Sequence, residues 1–168
     1  MKRFVFVFLL VIISAFTLVY LEPVRAHVIG PFTEGITHVS GWIIQIFGGQ
    51  VQMRGNILSI PGFAVQVLDM CNGVEATIIL WAAMLAFPAP WSYKAKGLLI
   101  GTSSVHLLNI IRIISLLYLG AYQREWFDFV HWYVWDALIM LDIVVVFLAW
   151  VRLMPMQERV EAVEVSKS

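Results

Sequence analysis

Four long apolar runs dominate the pattern of the chain. Residues 4–21 carry neither charge nor proline. Residues 73–87, extended to 71 if the run starts near Met70, end at the Pro88 and Pro90 turn. Residues 97–119 are interrupted only by His106, Asn109 and Arg112, and residues 132–151 carry Asp136 and Asp142. A helix needs about 20 apolar residues to cross the hydrocarbon core. The pattern predicts an all-α integral membrane protein with about four transmembrane helices, near 4–21, 71–87, 97–119 and 132–151.

Two shorter patterns lie between the first and second runs. In residues 35–47, Ile36, Val39, Ile43, Ile46 and Phe47 recur at helical spacing, while Thr37, His38, Ser40 and Gln45 fall elsewhere. This predicts an amphipathic helix lying on the membrane surface. Residues 50–69 are rich in Val and Ile and contain Gly55-Asn56 and Pro61-Gly62. Runs 51–54 and 57–60 flank the Gly-Asn pair, which predicts a small hairpin.

Charge sets the orientation. Lys2, Arg3, Lys94, Lys96 and Arg152 all fall on one side of a four-span chain, the cytoplasmic side by the positive-inside rule. The other side receives residues 22–70 and 120–131, with Arg25, Arg54 and Arg124. The expected topology is N-in and C-in, with 22–70 extracytoplasmic and 152–168 a polar cytoplasmic tail. If 35–47 crossed the bilayer, everything after it would flip. Residues 1–26 read either as an uncleaved anchor or as a cleaved signal peptide, since Val24-Arg25-Ala26 offers a small-residue site. The 18-residue run is longer than the about 7–15 of a signal core, which favours the anchor.

Composition agrees. Hydrophobic residues make up 61% and charged residues 13%, against about 45–50% and about 25% in soluble domains. Lipid must therefore solvate much of the chain. Formal net charge is zero and the basic residues are scattered, so there is no case for nucleic acid. No His-x-x-His or Cys-x-x-Cys spacing suggests a metal, and no glycine-rich loop suggests a phosphate cofactor.

Depth is the informative coordinate for the remaining polar residues. Cys71, the sole cysteine, lies at the outer mouth of the second span. Arg112 lies about seven residues, or ~10 Å, below the outer end of the third. His131 opens the fourth. Three groups distant in sequence thus share one leaflet. A charge inside a span costs several kcal/mol, and such residues face a partner or a wet cavity. An ion pair of Arg112 with Glu75 is the structural alternative. Cys71 at a helix N-terminus, near an arginine, favours thiolate; Asp69 and Glu75 oppose it. Asn72-Gly73 lets the backbone turn and frees N–H groups that could serve, with Arg112, as oxyanion donors. His131 reads as a general acid and base for the thiol, or as an interfacial histidine among Trp126, Trp132, Tyr133 and Trp135. His106 and Asn109 suggest a helix–helix hydrogen bond. Asp136, five residues past His131, falls off its face, and Asp142 reads as a packing polar residue.

These motifs resemble the exosortase/archaeosortase family. Cys71-Asn72-Gly73 opens one span, Asn109-Ile110-Ile111-Arg112 nears the outer end of the next, and His131 opens the last. Residues 67–70 and the Ile60-Pro61-Gly62-Phe63 hairpin fit the same pattern, over roughly residues 50–150. The short length is similar to the compact exosortase H branch. Trp132-Tyr133-Val134-Trp135 stands where longer members carry a small, glycine-containing run, and Glu75 has no counterpart.

The resemblance implies a bacterial inner-membrane cysteine transpeptidase, active on the extracytoplasmic side and without a cofactor. Cys71 would be the nucleophile, Arg112 the transition-state stabiliser and His131 the proton shuttle, supported by Asn72, Gly73 and Asn109; Glu75 is a supporting candidate from its depth alone, not from the resemblance. Its partners would be exported proteins ending in a motif, a transmembrane helix and a basic tail; the branch is associated with an Ile-Pro-Thr-Leu-like motif. A thioester on Cys71 would pass to an acceptor that the sequence does not name, or to water as in a protease. The rival reading is a non-catalytic membrane scaffold with a structural Glu75–Arg112 pair. A transporter would need a polar relay on one helix face, and Asp142, His106 and Arg112 form none.

Overall fold

The computed structural model describes residues 2–155. Five main helices organise it: α1 (Lys2–Val19), α2 (Gly30–Ile46), α3 (Val74–Ala86), α4 (Trp91–Tyr122) and α5 (Trp135–Arg152). A short helix, Arg124–Phe129, and a π-helical turn, Val130–Val134, lead without a break into α5. Among the described residues, three helices are long and apolar enough to cross a membrane: Lys2–Val19, Trp91–Tyr122 and Arg124–Arg152. The chain is an all-α integral membrane protein with a small β element. The tail expected at 152–168 lies outside the described residues from 156 onward.

The second expected span, 71–87, is the 13-residue α3. At 1.5 Å per residue it is about 20 Å long, shorter than the ~30 Å hydrocarbon core. Apart from Glu75 and Thr77 it is apolar, and protein covers most of it, with Trp81 left exposed. Leu80, Ala82 and Met84 are wholly buried, and Leu80 and Met84 pack with Val105 of α4 and Ile139 and Ile143 of α5. Between apolar helices in lipid, close packing and interhelical hydrogen bonds replace the hydrophobic drive. Trp81 Nε1 donates to Thr102 (2.8 Å), Ser104 to Asp142 (3.0 Å), and Thr77 Oγ1 sits 3.4 Å from His106 Nε2. Each is worth about 0.6 kcal/mol. Asp142 is thus a packing polar residue. At the rim, α1 buries no residue; Phe6, Leu10 and Ile13 face outward, as lipid-facing side chains do.

The amphipathic helix is real but turned the other way from the sequence expectation. A helical run, Glu22–Val24, then a π-turn, Arg25–Ile29, then α2 form one rod. Thr33, Ile36, Thr37, Ser40, Gly41 and Ile44 face the protein. Ile46 and Phe47 are 80% and 86% exposed. The expected polar face fails because small hydroxyl residues let helices approach closely. They also satisfy themselves: Thr33, Thr37 and Ser40 each donate to the carbonyl four residues back, at 2.7–2.9 Å.

The expected two-strand hairpin is a three-strand meander: β1 (Gln52–Arg54), β2 (Ile57–Ile60) and β3 (Phe63–Gln66), in that order. Gly55, at φ 58°, turns β1 into β2. Pro61-Gly62 turns β2 into β3, with Gly62 at the φ of 88° that the third residue of a type II turn requires. Leu58 of β2 is wholly buried against Ile36, Ile113 and Leu117, which seats the sheet on α2 and the C-terminal part of α4. The 32 residues of α4 make a rod of about 48 Å, long enough to cross and still carry the sheet.

Candidate active site

The chain leaves β3 through an extended Leu68 and closes a single 3-10 turn, Asp69–Cys71, with the Cys71 N–H on the Leu68 carbonyl at 2.8 Å. The turn is held from both sides. Asp69 accepts from Arg25 Nη2 at 3.3 Å, with Thr33 Oγ1 3.4 Å away. Asn72 is wholly buried; its Nδ2 donates to Thr33 Oγ1 (2.9 Å) and its Oδ1 accepts the Val74 N–H (2.9 Å), the first unpaired donor of α3. Gly73 sits at φ 84°, and a Cβ there would lie 3.1 Å from His106 Nδ1. Asn72 and Gly73 therefore fix the turn that presents Cys71. The Asn72 side chain is engaged by Thr33 and Val74.

His131 and Arg112 complete the group. Cys71 Sγ lies 3.7 Å from His131 Nε2. The imidazole stacks on Phe127, ring centres 5.7 Å apart, so its aromatic setting holds the ring that faces the thiol. Arg112 is 6% exposed. Its Nη2 donates to the His131 carbonyl at 3.4 Å and pairs with Asp136 Oδ1 at 3.0 Å.

Asp136 is the residue the sequence reading missed. In a regular helix of 3.6 residues per turn, positions five apart differ by about 140°. The π-turn Val130–Val134 closes i to i+5 and brings His131 and Asp136 to one side. No residue type in the sequence marks that turn. The expected Arg112–Glu75 pair is not formed: Glu75 accepts instead from the Tyr20 hydroxyl at 2.7 Å. An arginine so buried takes the carboxylate that the π-turn delivers. Asn109 is fully buried, one turn before Arg112, and neither of its amide atoms has a hydrogen-bond partner. The helix–helix bond expected of His106 and Asn109 is made by His106 alone, through Thr77.

Two cavities flank the thiol. One, of about 430 Å³, is lined by β3, Leu68, Cys71, Arg112, Arg124, Phe127 and His131. The other, of about 260 Å³, holds Cys71, Gly73, Glu75, Asn109, Arg112 and Asp136. Cys71 lies in the turn ahead of α3, outside the spanning helices. Burial pushes its thiol above the ordinary value; Arg112 pulls it down, and Asp136 and Glu75 push it up. The sequence left that balance open; here burial is the largest influence and acts against the thiolate, and His131 Nε2 is in place to act as a base for the thiol.

A half-buried cysteine, a histidine against it and a buried arginine, set among membrane helices, define the class: a membrane protein with a cysteine-centred site. The family model of the transmembrane exosortases matches residues 1–151, and the chain belongs to that family. Exosortases are membrane-embedded sorting transpeptidases acting on exported proteins with C-terminal sorting signals. No curated protein and no solved structure matches the chain.

Proposed function

We propose that this exosortase cleaves the C-terminal signal of exported proteins through a thioester on Cys71, in a bacterial inner membrane, with the site on the extracytoplasmic side. The observation that carries the proposal is the 3.7 Å approach of Cys71 Sγ to His131 Nε2, beside the buried Arg112. The thiol passes its proton to His131 as Sγ attacks the scissile carbonyl carbon. The Arg112 guanidinium stabilises the oxygen that gains charge. The tetrahedral intermediate collapses, the C–N bond breaks, and the leaving amine takes the proton from His131. The acyl group remains on Cys71 as a thioester. An acceptor nucleophile gives its proton to His131, attacks the thioester and regenerates the thiol; water in its place gives hydrolysis. Asp136 positions Arg112, and Asn72 and Gly73 position Cys71.

The substrate chemistry proposed is an Ile-Pro-Thr-Leu-like motif followed by a membrane helix and a basic cluster. The proposed topology is N-in and C-in, with residues 22–70 outside. The test is a reporter bearing such a signal, co-expressed with the parent, Cys71→Ala and Cys71→Ser chains. The parent processes the reporter and yields an acyl adduct on Cys71 by mass spectrometry. Maturation at the parent rate by Cys71→Ala would refute the proposal.

A further inference from the structure

The open edge of β3 runs along the larger cavity beside Cys71. Phe63, Ala64, Val65, Gln66, Val67 and Leu68 all line that cavity. Successive side chains of a strand point to opposite faces. A cavity on a sheet face would therefore meet alternate residues; one that meets six in succession lies against the strand's edge.

The register says which backbone groups face it. Ile60 and Phe63 flank a two-residue turn and pair with each other, followed by Ser59 with Ala64, Leu58 with Val65, and Ile57 with Gln66. In an antiparallel ladder the hydrogen-bonded and non-hydrogen-bonded pairs alternate. The turn makes Ile60–Phe63 a hydrogen-bonded pair, so Phe63 and Val65 direct their N–H and C=O groups to β2. Val67 does the same, its N–H donating to the Asn56 carbonyl and its carbonyl accepting from Asn56 Nδ2, at 2.8 and 2.9 Å. Ala64 and Gln66 direct theirs the other way. β3 ends the sheet on that side, so among the described residues no strand covers them.

An uncovered strand edge is a template for another chain. We propose that the substrate's recognition segment binds as a fourth strand on β3, its main chain bonded to Ala64 and Gln66, and is thereby led to Cys71. The inference rests on the proposed function for the identity of the bound chain. It explains how an extended peptide is held by its backbone, with side chains discriminated by the cavity walls at Ile113, Leu116 and Phe127.

The test separates binding from chemistry by using the full-length Cys71→Ala chain in micelles. The probe is a fluorescein-labelled peptide, Ile-Pro-Thr-Leu-Ser-Ala, read by anisotropy, with single backbone N-methyl groups at Thr, Leu, Ser or Ala. An added strand bonds through every second residue. Methylation at two alternate positions should weaken binding about tenfold and at the other two leave it nearly unchanged. Equal tolerance at all four positions overturns the proposal. Ala64→Pro removes an edge-facing N–H without touching the β2 ladder, a substitution that edge strands accept. It should weaken the unmethylated peptide about tenfold while Cys71 in the otherwise parental chain reacts with iodoacetamide at the parent rate. Unchanged binding by Ala64→Pro would also overturn it. The methyl series stands alone if that variant fails to fold. Failure to find a thioester would leave an alternating methyl pattern intact, so the two proposals fail separately.

Discussion

Asp136→Asn removes the charge that faces Arg112 while keeping the side chain's shape. The pair joins an arginine side chain 7% exposed to a carboxylate 51% exposed, at 3.0 Å. Exposed ion pairs contribute about 0.2–1 kcal/mol. Removing one partner of a fully buried pair costs about 3–5 kcal/mol. A buried cation with a half-exposed partner falls between, at about 1–2 kcal/mol, since water screens the carboxylate. Expressed in the transition state, this is a loss of about tenfold in kcat/KM. Arg112→Ala, which deletes the oxyanion donor itself, should lose about 10²–10³-fold. The assay is reporter transfer in detergent micelles, with thermal unfolding of each variant followed in parallel. The double variant decides the matter. Without Arg112, Asp136 is an unpaired negative charge near the thiol, so adding Asp136→Asn should cost nothing further or restore some activity. Full additivity of the two losses, or a Asp136→Asn chain with parental activity, would refute the positioning role.

Four further outcomes are expected. Alkylation of Cys71 by iodoacetamide should rise only above the pH range of an ordinary thiol; Asp136→Asn moves the midpoint down and Arg112→Ala moves it up, because each removes a charge of known sign. Asn72→Ala leaves Thr33 and Val74 short of a partner at a buried turn, and should lower stability by about 1–3 kcal/mol in thermal or denaturant unfolding; Asn72→Asp keeps the acceptor for Val74 but loses the donor to Thr33 and buries a charge, so it should be no closer to the parent. Deleting Tyr133, an exposed residue of the π-turn, converts i+5 spacing into i+4 and restores an α-helix with His131 and Asp136 still on one face; turnover should stay within about tenfold of the parent, and inactivity matching His131→Ala would contradict the geometry. Membrane-impermeant maleimide added to spheroplasts should label Cys71 in intact cells but not a cysteine placed at Lys96, and the reverse pattern would invert the proposed topology.

The sequence marked the candidate cluster more clearly than the scaffold that carries it. Cys71, Arg112 and His131 were legible because a charge in an apolar run and a thiol at a span mouth are costly or reactive wherever they occur. Burial of α2 was misread because Thr33, Thr37 and Ser40 look polar by type, yet each hydroxyl is already satisfied by its own helix. β3 was left without bounds, though a hairpin at Ile60–Phe63 was legible, because four residues, Phe63–Gln66, give too few alternations to mark a strand. Asp136 was set aside by correct arithmetic on the wrong helix. The single wide turn at Val130–Val134 changes the period at one place, and one residue of change decides whether a carboxylate faces Arg112 or lipid. Local pattern reports which residues are expensive; the partner that makes the expense tolerable is set by geometry that one irregular turn can rewrite. That is why the arginine could be found without its carboxylate, and why the Glu75 pairing, sound on depth alone, gave way to Asp136.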